Sequence, residues 1–131
     1  MGRYRGLMSD QILTVTLRST DWAKSRAFYE QLGFEVSYIN QFGEDAPVYA
    51  NVRGFGCIVD ISEHRNDCEP GGMVGIRVPD VDAAFRAMQT AGVQADPPRE
   101  MPWGDRSFMV HDPDGNSITF WTPTDIPHSG R

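Results

Sequence analysis

One feature of the 131-residue sequence limits its possible folds more than any other: a local pattern that starts over after 59 residues. Val15 and Val74, Arg18 and Arg77, Asp21 and Asp80, Gly33 and Gly92, and Gly56 and Gly115 all share that offset. Five identities carry little weight as identities. Their placement carries more, because they fall on a strand, a strand end, a helix cap, a helix stop and a hairpin turn in both copies. A repeat of this kind calls for two similar supersecondary units in one chain.

The first unit opens with Leu13 to Ser19, where Leu13, Val15 and Leu17 alternate with Thr14, Thr16 and Arg18 as in a half-buried strand. Thr20 or Asp21 can cap the helix that follows, since a short side-chain oxygen accepts from the unpaired N–H groups of a first helical turn. Trp22, Ser25, Tyr29 and Leu32 share one face of that helix, and Gly33 ends it. Glu35 to Asn40, Val48 to Arg53 and Gly56 to Ser62 read as three strands, so the unit is βαβββ. Residues 64–72, with Pro70, Gly71 and Gly72, form a polar linker. The second unit then runs through a strand at Met73 to Val78 and a helix capped by Asp80. That helix has an apolar face of Val81, Ala84, Phe85, Met88 and Ala91. Pro97 to Pro102 reads as a loop.

The unit closes on Asp112-Pro113-Asp114-Gly115-Asn116. Here Pro113 presets φ, Gly115 tolerates positive φ, and Asp and Asn side chains bond nearby backbone, which makes a tight turn. Arg106 to His111 and Ser117 to Thr122 flank it as the strands of a hairpin. Turn formation accounts for Asp112 and Asp114 without an acid-base role. The expected domain plan is a single domain: module 1 over about 11–63, the linker, module 2 over about 73–123, and a frayed tail over 124–131. Residues 1–10 are expected to form a loose arm or an edge contact with a second subunit.

Trp103-Gly104, followed by the DPDGN turn and then Ile118, Thr119 and Phe120, resembles the end of the glyoxalase/bleomycin-resistance/extradiol-dioxygenase (vicinal oxygen chelate) superfamily. The bleomycin-resistance-protein-like branch is the most similar, and the resemblance extends from about Leu13 to Pro123. It implies an α+β fold in which two βαβββ modules form a curled sheet cleft, paired within one chain or across two. It leaves the chemistry open, because this scaffold serves isomerases, dioxygenases, thiol transferases and non-catalytic drug binders.

In metal-dependent members, four cleft positions carry His, Glu or Gln. Carried onto this sequence they fall on Thr14, Asp60, Met73 and Thr119. A divalent catalytic site needs three or more imidazole or carboxylate ligands, and this set offers one carboxylate. The expectation is therefore no metal and no cofactor. His64, His111 and His128 lack ligand spacing, and neither Ser107 nor Ser117 has a base beside it in sequence, so no catalytic residue is assigned.

With Thr119 facing the cleft, alternation sends Ser117 and Trp121 the same way and Ile118 and Phe120 toward the helices. In module 1 the same logic places Tyr49, Asn51 and Arg53, with Ile58, Asp60 and Ser62, on the cleft face. Val48, Ala50, Val52, Val59 and Ile61 go to the core. The repeat offset adds Phe108 and Val110 to the cleft. Core packing is the ordinary alternative for Phe108, as it is for Tyr38, Phe42 and Phe55. Trp103, in a loop, is assigned to the cleft wall. Arg18 and Arg77, at strand ends, either pair with acids or orient a ligand oxygen. The expected ligand-binding set is Trp103, Trp121, Asp60, Tyr49, Asn51, Phe108, Arg18, Arg77 and Thr119.

Eighteen acidic residues against twelve basic give a formal net charge of −6, which disfavours a nucleic-acid backbone as partner and tilts toward neutral or cationic ligands. No apolar run is long enough to span a bilayer, and the start MGRYRGLMSD lacks the apolar core of a signal peptide. Cys57 and Cys68 read as reduced thiols. The expectation is a cytoplasmic homodimer that engages neither membrane nor nucleic acid. It would sequester an aromatic antibiotic or natural product, with Asp60 accommodating a cationic one. The alternative is a small-molecule lyase, isomerase or dioxygenase-like enzyme of the same fold, with Asp60 as base.

Overall fold

The computed structural model describes residues 13–124; the expected N-terminal arm and all of the tail beyond Thr124 lie outside them. The chain runs β1 (Val15–Arg18), α1 (Trp22–Leu32), β2 (Glu35–Asn40), β3 (Tyr49–Gly54), β4 (Cys57–Ser62), β5 (Met73–Arg77), α2 (Val81–Thr90), β6 (Arg99–Met101), β7 (Asp105–His111) and β8 (Ser117–Pro123). The fold is α+β, with two four-stranded sheets ordered β1-β4-β3-β2 and β5-β8-β7-β6. Each module pairs its first and last strands in parallel and the rest antiparallel.

Local chemistry sets the helices. Asp21 accepts from the Lys24 amide and Asp80 from the Ala83 amide, so one first-turn donor of each helix is satisfied. Gly33 ends α1 in the left-handed region at φ 108°, where a side chain would be strained. Ser25, Tyr29 and Leu32 of α1 are buried, as are Val81 and Met88 of α2. Three sequence expectations shift at the margins. Ala91 is exposed beyond the end of α2. Leu13 is 84% exposed because β1 starts two residues later. The loop expected between Pro97 and Pro102 contains the three-residue strand β6, held by pairing to β7 rather than by any signal of its own.

The helix-facing sides of both sheets feed one core. Ring contacts run from Phe34 to Phe55, Phe55 to Phe120, Phe120 to Phe108 and Phe108 to Phe85, crossing from the first module to the second. The DPDGN turn supplies the polar half of this seam. Asp112 Oδ1 accepts from the amides of Asp114 and Asn116, and its Oδ2 accepts from the Tyr29 hydroxyl at 2.7 Å and from Asn116 Nδ2 at 2.8 Å. Asn116 also donates to the Arg18 carbonyl and accepts from the Gly72 amide. Asp114 accepts from both the amide and the hydroxyl of Thr20. The turn thus fastens module 2 to the junction between β1 and α1.

Candidate functional site: two open sheet faces

Because the modules meet through their helix-facing sides, the opposite face of each sheet is left open. On the first sheet, strand pairing aligns Thr16, Asp60, Asn51 and Tyr38 in one row across β1, β4, β3 and β2. A one-residue bulge at Ser37 keeps Tyr38 in that row. Asp60 is only 5% exposed, and its two oxygens accept from the Tyr49 hydroxyl, at 2.5 Å, and from Asn51 Nδ2. The bond to Asp60, followed by burial, raises the Tyr49 phenol above its ordinary pKa and keeps it a donor. Elsewhere on this side, Ser62 donates to Asp67 and Asn40 donates to the Tyr38 hydroxyl. Arg18 donates to the Glu63 carbonyl at 2.7 Å rather than to an acid.

On the second sheet, Ser117, Thr119 and Trp121 lie on the open face of β8, while Ile118 and Phe120 are buried behind it. The Arg77 guanidinium lies 5.7 Å from the Trp121 ring centroid, within cation–π range. A cavity of about 610 Å³ indents this face, and Arg99, Met101, Ser107, Met109, His111 and Thr119 are among its lining residues.

Phe108 and Val110 are corrections. Phe108 is 4% exposed and packs on Phe85 and Phe120 in the core, and Val110 is buried as well. The reason is a single residue in a turn. Asp60 and Thr119 correspond at the 59-residue offset, but Asp60 pairs with Asn51 whereas Thr119 pairs with Met109, an offset of 58. The turn between β7 and β8 is one residue longer than expected from the repeat, and a one-residue slip sends every side chain of a strand to the other face. Ser107, Met109 and His111 therefore occupy the open face.

Other aromatics divide differently from expectation. Phe42 and Tyr38 are exposed, at 85% and 50%, and do not serve the core, whereas Phe55 bridges the modules. Trp103 is half exposed in the turn between β6 and β7, where its ring N–H donates to Asp105. Ser117 does have a base beside it in space: its hydroxyl is 3.2 Å from His111 Nδ1 across the strand pair, a neighbour six residues away that only the hairpin register reveals. Among the described residues no carboxylate bonds to His111, so nothing orients it as an acid-base relay.

The positions corresponding to metal ligands also resolve. Thr14 and Met73 are exposed, Thr119 is half-buried, and Asp60 is engaged by Tyr49 and Asn51. Among the described residues no cluster of three or more His, Cys, Asp or Glu could hold an ion. One committed carboxylate with two hydroxyls and a thioether does not fit a divalent catalytic metal.

Residues 3–126 match a family model described as glyoxalase superfamily protein. The chain belongs to that superfamily. Among its relatives, an uncharacterized protein from Mycolicibacterium smegmatis (strain ATCC 700084 / mc(2)155) is 29% identical over 121 residues, covering 88% of this chain and 97% of its own. Among solved structures, TnmS3, an antibiotic binding protein from Streptomyces sp. CB03234, is 27% identical with a TM-score of 0.69, covering 87% of this chain and 96% of its own. The bleomycin resistance determinant encoded on the transposon Tn5 shares the fold at 20% identity and a TM-score of 0.72, covering 88% of this chain and 99% of its own. Among the described residues of this superfamily member, no helix is long and apolar enough to cross a membrane.

Proposed function

We propose that this glyoxalase superfamily protein is a non-catalytic binding protein. It sequesters an aromatic antibiotic or natural product in clefts that a second copy of the chain completes. The observation that carries the reading is the makeup of the open faces. Where metal-dependent relatives hold their ligands, this chain has Thr14, Asp60, Met73 and Thr119, and beside them stands Trp121 under a guanidinium. Affinity needs aromatic surface and a few fixed polar groups, and these faces offer both. The similarity to an antibiotic binding protein supports the same reading. Each chain presents two half-clefts, and a twofold pair would set the Asp60 face of one protomer against the Trp121 face of its partner.

A panel of aromatic antibiotics screened by thermal shift, followed by tryptophan-fluorescence titration, tests this. Trp121→Ala should weaken the best ligand at least tenfold, about 1.4 kcal/mol. Asp60→Asn should weaken it less and flatten its salt dependence. Light scattering should show two chains per particle. Unchanged affinity in both Trp103→Ala and Trp121→Ala would reduce these residues to packing and end the aromatic-wall reading.

A further inference from the structure

The open face of the second sheet carries hydrogen-bond donors that no described residue engages. Arg77 pairs with Trp121, Trp121 with Ser107, and Ser107 with Arg99, so these four residues form one row across β5, β8, β7 and β6. Three inter-strand spacings set the ends of that row about 14 Å apart. Thr119 and Met109 form part of the next row.

Among the described residues the ion pairs are Arg26–Glu30 and Arg106–Asp82, so Arg77 and Arg99 belong to none. The hydroxyls of Ser107 and Thr119 likewise have no partner among them. Ser107 is only 6% exposed, but its hydroxyl is not among the buried atoms left without a partner, so it keeps an opening to the cavity it lines. Arg99, Ser107 and Thr119 line the same 610 Å³ cavity, together with Met101, Met109, Asp96 and His111.

We propose that this face is a subsite for the acidic edge of a planar aromatic ligand. The ring system lies along Trp121 and the methionines. A carboxylate or phenolate on it accepts from the Arg99 guanidinium and the Ser107 and Thr119 hydroxyls, while Arg77 holds Trp121 from the far end of the row. A guanidinium suits this role because its planar fork matches a carboxylate in two parallel bonds. The net charge of −6 does not oppose it, since charges farther away than about 8 Å are largely screened at physiological ionic strength. The proposal rests on the reading of the protein as a binder of aromatic ligands and adds the sign of the group recognised on this face.

The test uses three anthracene probes of one shape: the 2-carboxylate, the 2-carboxamide and the 2-aminomethyl derivative, titrated into the full-length protein by calorimetry. We expect the carboxylate to bind at least fivefold more tightly than the amine. In the Arg77→Gln/Arg99→Gln double variant that preference should vanish, with the carboxylate losing at least fivefold more affinity than the carboxamide. Both side chains are exposed, so the variant should match the parent in thermal unfolding. A smaller preference in the parent, or one that survives in the double variant, overturns the acidic subsite and leaves the aromatic-binder reading standing. Failure of all three probes to bind counts against both.

Discussion

The two sheets share a topology, yet they treat the polar groups at the centre of their open faces differently. On the first, Asp60 is held by Tyr49 and Asn51, Ser62 bonds to Asp67, and Arg18 reaches the Glu63 carbonyl. On the second, Arg77, Arg99, Ser107 and Thr119 have no acceptor within the described chain. A satisfied network fixes side chains before any ligand arrives and contributes to folding. Unengaged donors at a cavity add little to folding and are available to a ligand. The first face should therefore respond to substitution mainly in stability and the second mainly in binding.

Orientation of β7 gives the largest effect, because the contrast depends on which of its residues face outward. Phe108→Ala should cost about 3–5 kcal/mol in urea unfolding, the range for a large aromatic removed from a packed core. Met109→Ala, its exposed neighbour, should stay within about 0.5 kcal/mol. Equal losses, or the reverse order, would mean that the strand keeps the 59-residue offset and that the outward face has been misassigned.

Next in size is the contrast between the faces themselves. Asp60→Ala leaves the Tyr49 and Asn51 donors without their acceptor and should destabilise by roughly 1–3 kcal/mol. Ser107→Ala and Thr119→Ala remove hydroxyls that bond nothing among the described residues and should fall within about 0.5 kcal/mol. If the two groups cost the same, the network around Asp60 adds nothing to folding and the comparison breaks.

The seam between the modules gives the smallest effect and one with a pH signature. Tyr29→Phe should cost about 1 kcal/mol at neutral pH, since Asp112 Oδ2 keeps its bond from Asn116. Burial first, and then the adjacent Asp112 carboxylate, push the Tyr29 phenol far above its ordinary value. The folded state therefore holds this proton where the unfolded chain has released it. The contribution is complete below about pH 10 and declines as pH rises past it. Unfolding measured at pH 8 and again near pH 11 should show a smaller alkaline loss in Tyr29→Phe than in the parent.

Much of the candidate site was legible in the sequence. The outward placement of Asp60, Tyr49, Asn51, Thr119 and Trp121 follows from alternation within strands whose buried partners are plainly apolar. Arg99 and Met109 were missed. Arg99 lies on a strand too short to show a period, and Met109 lies on one whose run of Ser107 to Val110 alternates poorly. A signal for Met109 did exist, in the longer polar run of the DPDGN turn compared with the Phe55-Gly56 turn of the first hairpin.

By itself the sequence determined what depends on neighbours along the chain: the Asp21 and Asp80 caps, the Gly33 stop, the hairpin turn, and the two βαβββ units with their apolar faces. These follow from dihedral preference, local hydrogen bonding and side-chain period, each set within a few residues. Only the tertiary structure decided the register of β7, the union of Tyr29 with Asp112 across 83 positions, and the row that brings Arg77, Trp121, Ser107 and Arg99 together. Register depends on the length of a turn and on what the facing strand offers, and a side chain's partner is chosen from whatever packing brings near. Neither is a property of a residue and its neighbours in sequence.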